Sequence, residues 1–173
     1  MKWPDLRQVL QSVPWAVCGA VATRLYMPER ATADLDILIK TTSRSAVHEL
    51  LMAHGFVREG DLSIGGSTWR SPDSVEVDVI ERDAPWTAEA LDRSGSNRDP
   101  QGLPILPLPY LVIMKLQASR GQDLADLLRM LGPADDRALD EVRQIVRRYD
   151  PDDLQDLLSL IELGRLEQAA GDP

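Results

Sequence analysis

The sharpest pattern in the sequence is the period-2 run Val75-Glu76-Val77-Asp78-Val79-Ile80, in which apolar and acidic residues alternate as in a half-buried strand. A second run, Asp34-Leu35-Asp36-Ile37-Leu38-Ile39, alternates at first and then turns wholly apolar, the pattern of a central strand with one end facing a site. Around these two, the spacing predicts a first helix over Trp3–Val13, a short strand Trp15–Cys18 broken by Gly19, and a helix Ala20–Tyr26 stopped by Pro28. Ser43 to His54 reads as a helix closed by Gly55. A strand starting at Phe56-Val57 and the run Ser67–Arg70, with Gly65-Gly66 ahead of it, complete an antiparallel meander with Val75–Ile80. Ala84–Arg93 reads as a modest helix, Ser94–Gly102 as a polar loop at a domain seam, and Pro104–Pro107 as a brief extended edge. Four helices follow, over Tyr110–Ser119, Gln122–Leu131, Asp135–Tyr149 and Asp152–Leu166, with the tail from Glu167 expected to fray. The fold class expected is α/β (α+β), a small mixed sheet flanked by helices over residues 1–100 and a helical extension over 101–173 packed on it.

Composition narrows the function classes. With 173 residues, 43% of them hydrophobic and 27% charged, the chain suits one α/β core with a helical appendage, and it has no apolar stretch long enough to span a bilayer. The N-terminal segment lacks the apolar h-region of a signal peptide, and the one cysteine, Cys18, excludes an intramolecular disulfide and a cysteine zinc cage. A cytoplasmic protein is expected. The net charge of −9 argues against a broad nucleic-acid surface, although Arg24, Arg30, Lys40, Arg44, Lys115 and Arg120 supply local positive charge. His48 and His54 read as surface or cap residues, and Trp69 and Trp86 as core or edge packing.

The chemistry points to the acids. Asp34 and Asp36, two apart on a strand, project to one face; Asp78 leaves the other apolar strand on a single face that Glu76 shares, so the carboxylates converge if the strands are neighbours. Clustered carboxylates repel one another, and hard divalent cations bridged to substrate phosphates relieve that repulsion. Asp-x-Asp alone also fits a solvated strand edge, and Gly19 alone fits a tight turn; the strand–glycine–helix unit ahead of the acids strengthens the site reading, since such a turn can hold phosphate oxygens.

The run Val17-Cys18-Gly19-Ala20, the Asp34-Leu35-Asp36 strand after a short helix, and Val77-Asp78-Val79 on a later strand together resemble the polymerase-beta-like nucleotidyltransferase superfamily. The neighbouring text, Arg30-Ala31-Thr32-Ala33 ahead of the acids and Leu108–Arg120 followed by Asp123-Leu124-Ala125-Asp126, is similar to small bacterial nucleotidyltransferase-like proteins related to abortive-infection toxins of toxin–antitoxin systems. The resemblance covers about residues 14–131. It implies the nucleotidyltransferase fold and transfer of a nucleoside monophosphate from a nucleoside triphosphate, with ATP a candidate, to an acceptor hydroxyl on an RNA end, a protein or an aminoglycoside-like small molecule. Asp34, Asp36 and Asp78 would be catalytic and hold two Mg²⁺ ions; Gly19 and Ala20 would meet the phosphates, Arg30 and Thr32 would shape the loop, and Lys115, Arg120 and Asp123 would serve the triphosphate or, equally, form an inter-helix ion-pair network. The family has Gly or Ser where this chain has Ala20, which offers only its backbone N–H. That departure keeps open an alternative, an inactive binding module or antitoxin-like partner. A homodimer or a cognate partner protein is the expected assembly, with no membrane.

Overall fold

Asp5 caps the first helix, its carboxylate accepting from the Arg7 backbone N–H at 3.1 Å, and α1 spans only Leu6–Val9. The chain turns over residues 10–13 where the apolar spacing predicts more helix, because Pro14 disfavours a helical Val13. The computed structural model describes residues 3–28 and 31–171; Arg30, expected in the loop ahead of the acids, lies outside the described residues. From there the elements are β1 (Trp15–Val17), α2 (Gly19–Thr23), β2 (Asp34–Lys40), α3 (Arg44–Ala53), β3 (Val57–Asp61), β4 (Gly66–Arg70), β5 (Glu76–Arg82), α4 (Thr87–Ser94), α5 (Leu108–Ala118), α6 (Gly121–Leu131), α7 (Asp136–Tyr149) and α8 (Leu154–Gly171). The last helix continues to Gly171, into the tail expected to fray.

The five strands form one sheet in the order β1-β2-β5-β4-β3. β2 and β5 are parallel neighbours, and every other pairing is antiparallel, so the meander β3-β4-β5 joins the rest of the sheet through its last strand. The two acid-bearing strands are therefore central, with Leu35, Ile37, Ile39, Val77 and Val79 buried on the face opposite the acids. At the end of the domain, Val17 donates to the Pro104 carbonyl at 2.7 Å and accepts from Leu106 at 2.9 Å, which ties the 104–106 segment to β1.

Two compact units result. The first holds the described residues through Ala22 and from 31 to Leu106; the second holds Thr23 to Pro28 and the described residues from Pro107 to Gly171. In the first, α4 packs on β1 and β2, and α3 reaches β3. His48 of α3 is half-buried rather than at the surface: its ring meets Trp69 edge-on at 5.1 Å and its Nε2 lies 3.1 Å from Ser67 Oγ. Burial lowers its pKa, which the nearby Glu81 opposes and Arg58 and Arg44 reinforce. His54 caps α3, with Nδ1 2.8 Å from the Leu50 carbonyl. Trp69 and Trp86 are core residues.

In the second unit, α6 and α8 cross at backbone contact: a Cβ on Gly164 would stand 2.6 Å from the Leu128 carbonyl oxygen, and one on Gly132 2.5 Å from the Gly164 carbonyl oxygen. Side chains have no room at that crossing, so glycine is required by space rather than by φ. Among the described residues, no helix is long and apolar enough to cross a membrane.

Candidate functional site

The parallel register of β2 and β5 sets Asp34 opposite Glu76 and Asp36 opposite Asp78. Because side chains two apart share a face, four carboxylates stand together at one end of the two central strands. All four are half-buried, and Leu35, Ile37, Val77 and Val79 next to them on the other face are fully buried. One oxygen each from Asp34, Glu76 and Asp78 lies within 4.8 Å of the others. The sequence shows Glu76 on the face of Asp78; its place opposite Asp34 comes from pairing between strands 42 residues apart in register, which no local pattern encodes.

Asp36 occupies a different corner of this face. A Cβ built on Gly19 would fall 1.9 Å from Asp36 Oδ2 and 2.5 Å from its Cγ, so the carboxylate lies against the glycine Cα. Gly19 also has φ +58°, in the left-handed region. Two demands, an unusual backbone angle and a close approach by an acid from the next strand, thus converge on one residue, and the Cys18 N–H donating to the Asp36 carbonyl at 2.9 Å fixes their separation. Gly19→Ala is expected to displace Asp36 and to lower the melting temperature by several degrees, the φ penalty alone being about 1–2 kcal/mol; a melt indistinguishable from wild type would show that the turn relaxes freely. Ala20 follows in the first turn of α2 and is 7% exposed.

Hydroxyls hold two of the acids. Thr32 Oγ1 donates to Asp34 Oδ1, and Thr68 Oγ1 of β4 donates to Asp78 Oδ1 at 2.7 Å. Arg70, also on β4, donates from Nε and Nη2 to both oxygens of Glu59 at 2.9 and 2.8 Å, and from Nη2 to Glu76 Oε2 at 2.9 Å. Each remaining oxygen of Asp34 and Asp78 is a hard donor, the type suited to Mg²⁺ or Ca²⁺ rather than to zinc.

Lys115, Arg120 and Asp123 form a set of their own in the second unit. Lys115, 5% exposed, donates from Nζ to Asp126 at 2.7 Å and to Asp123 at 3.2 Å across α5 and α6; Arg120 Nε donates to Asp123 at 2.6 Å, and Gln122 donates to Asp126 at 3.0 Å. Burial raises the Asp123 pKa, but Arg120 and Lys115 outweigh it and leave the carboxyl below its ordinary value. This is the inter-helix ion-pair network that the sequence allows.

The nucleotidyltransferase fold is found in solved structures of distant sequence. ANT(2″)-Ia in complex with adenylyl-2″-tobramycin is 14% identical, with a TM-score of 0.50 over 88% of this chain and 88% of that one. A solution structure of ANT(2″)-Ia is 15% identical, with a TM-score of 0.45 over 92% and 86%. Terminal uridylyl transferase 4 from Trypanosoma brucei with bound GTP is 12% identical, with a TM-score of 0.38 over 72% of this chain and 46% of that one. No curated protein sequence matches the chain. The sequence pattern of the nucleotidyl transferase AbiEii toxins of type IV toxin–antitoxin systems matches residues 5–173, so the chain belongs to that family and its enzyme class is that of a nucleotidyltransferase.

Proposed function

We propose that the protein transfers a nucleoside monophosphate from a nucleoside triphosphate to an acceptor hydroxyl, as the toxin of a toxin–antitoxin pair, with divalent cations held by Asp34, Asp36 and Asp78. The observation that carries this reading is the convergence of carboxylates from two parallel central strands. Asp34 and Asp78 fit: two oxygens on one Mg²⁺ at about 2.1 Å are at most about 4.2 Å apart, and on Ca²⁺ at about 2.5 Å about 5 Å apart, so the 4.8 Å spacing that these two share with Glu76 needs only a sub-ångström closure for the smaller ion. When bound, such ions would polarise the α-phosphate and lower the pKa of the acceptor hydroxyl.

The chain's own residues do the rest. Thr32 and Thr68 fix the orientation of Asp34 and Asp78, so that each presents its second oxygen without first losing rotamer freedom. Gly19 gives Asp36 its place, and the backbone N–H groups of Gly19 and Ala20 are the proposed contacts to phosphate oxygens, a role for which Ala20 needs no hydroxyl. In the reaction the acceptor hydroxyl loses its proton to solvent, its oxygen bonds to the α-phosphorus while the bond from that phosphorus to the bridging oxygen breaks, and pyrophosphate leaves. The acceptor is an RNA end, a protein hydroxyl or a small molecule.

A thermal shift tests the binding half of this reading. Each of the four ribonucleoside triphosphates is added with and without Mg²⁺, and one of them should raise the melting temperature only with the metal. At a hundred times Kd the stabilisation is about 2.7 kcal/mol, or roughly 5–10 °C for a chain of this size. No shift with any triphosphate in Mg²⁺ would oppose the reading.

A further inference from the structure

β4 borders the acid-bearing strand β5 in antiparallel register, with Thr68 opposite Asp78 and Arg70 opposite Glu76. Ser67 and Trp69 alternate with them, 1% and 0% exposed, so Thr68 and Arg70 share the face of the four acids. The two do opposite things to the acids they meet. Thr68 gives Asp78 a single hydrogen bond on Oδ1 and leaves Oδ2 and the full negative charge. Arg70 gives Glu76 a cation. Its guanidinium is gripped on a second edge by both oxygens of Glu59 from β3, so it is held in place by the neighbouring strand.

From this geometry we infer that β4 tunes the acid site: Thr68 is a positioning residue that presents Asp78 to a cation, and Arg70 is a charge-balancing residue that withholds Glu76 and thereby sets the site's preference for a polyanionic substrate. The inference rests on the cation-dependent reading of Asp34, Asp36 and Asp78. The four carboxylates and Glu59 carry a charge of about −5, which Arg70, set between Glu76 and Glu59, brings to about −4. Two divalent cations then neutralise the site toward a triphosphate, whereas without Arg70 the same cations would leave it at about −1. Removing Arg70 therefore strengthens cation binding and weakens triphosphate binding. Removing the Thr68 hydroxyl weakens cation binding, because Asp78 must then be ordered by the ion itself.

The test is titration calorimetry of Mn²⁺ alone into the nucleotide-free protein, followed by titration of a non-hydrolysable triphosphate analogue at saturating Mn²⁺. Thr68→Val should weaken Mn²⁺ binding by about 10-fold or more, and Thr68→Ser, which keeps the hydroxyl, should restore it. Arg70→Met should tighten Mn²⁺ and loosen the analogue, each on the order of a few-fold, as befits a half-exposed pair. Adding Glu76→Gln to Arg70→Met should return both affinities toward wild type. Circular dichroism melts of the variants separate these effects from unfolding. The inference is overturned if Thr68→Val and Arg70→Met move Mn²⁺ affinity in the same direction, if neither moves it, or if Glu76→Gln fails to reverse Arg70→Met. Absence of Mn²⁺ binding by the wild type would instead overturn the cation-dependent function itself, and this inference with it.

Discussion

Replacing Asp34 and Asp78 together by asparagine is expected to cut nucleotidyl transfer by on the order of 10³-fold or more while leaving the melting temperature unchanged or raised. Loss of two cation ligands removes several kcal/mol of stabilisation for the charge that develops on the phosphate, and each 1.4 kcal/mol is a factor of ten. The fold gains, because Asp34, Glu76 and Asp78 present oxygens within 4.8 Å of one another and two fewer like charges then face one another. Asparagine is isosteric, and its carbonyl still accepts from Thr32 and Thr68, so the hydroxyl contacts survive. Pyrophosphate release and a thermal melt on the same sample check both halves. A variant that loses activity by unfolding would contradict the functional assignment of these acids.

Lys115→Met should produce the converse, a loss of stability. The substitution leaves Asp126, 0% exposed, and Asp123, 3% exposed, without the ammonium that lies between them. Breaking a buried pair from one side costs about 3–5 kcal/mol, roughly 10 °C here. A second change, Asp126→Leu in the Lys115→Met background, should recover part of it, since it removes the more deeply buried of the two carboxylates and its desolvation penalty. The pH dependence has a definite sign. The folded Asp123 pKa is depressed, so its contribution is present above the unfolded carboxyl pKa of about 3.9 and is lost as pH falls through the lower folded value. Wild type should therefore keep this contribution down to about pH 4, while the deficit of Lys115→Met narrows on acidification as its carboxyls protonate. If Lys115→Met melts like wild type and loses triphosphate binding instead, the lysine serves the substrate.

The sequence pattern was sufficient wherever the determinant is local. Alternation marked β2 and β5, and the Asp34-Leu35-Asp36 and Val77-Asp78-Val79 runs led to the nucleotidyltransferase fold and family that the comparisons establish. What it could not show depends on which strands become neighbours. Glu76 shares a face with Asp78 in any strand, but only the β2–β5 register puts it opposite Asp34. Gly19 reads as a phosphate turn, whereas its missing side chain is also required by Asp36, 17 positions later in the chain. His48, between Val47 and Glu49 on α3, is drawn inward by Trp69 and Ser67 of β4. The first helix is shorter than its apolar spacing because Pro14 overrides periodicity, and the last is longer because the apolar rows that run along α8, with Leu157 and Ile161 buried, give the tail a helix to extend.

The most direct measurement of the central claim follows the label of a nucleoside triphosphate carrying ³²P at either the α or the γ position, incubated with the protein, Mg²⁺ and, in turn, total RNA, total protein and a panel of aminoglycosides. The account predicts that α label becomes bound to one of these acceptors, that γ label leaves as pyrophosphate, and that Asp34→Asn/Asp78→Asn abolishes both. Transfer of the γ label to the acceptor, or α-label transfer that survives loss of the two acids, would contradict it.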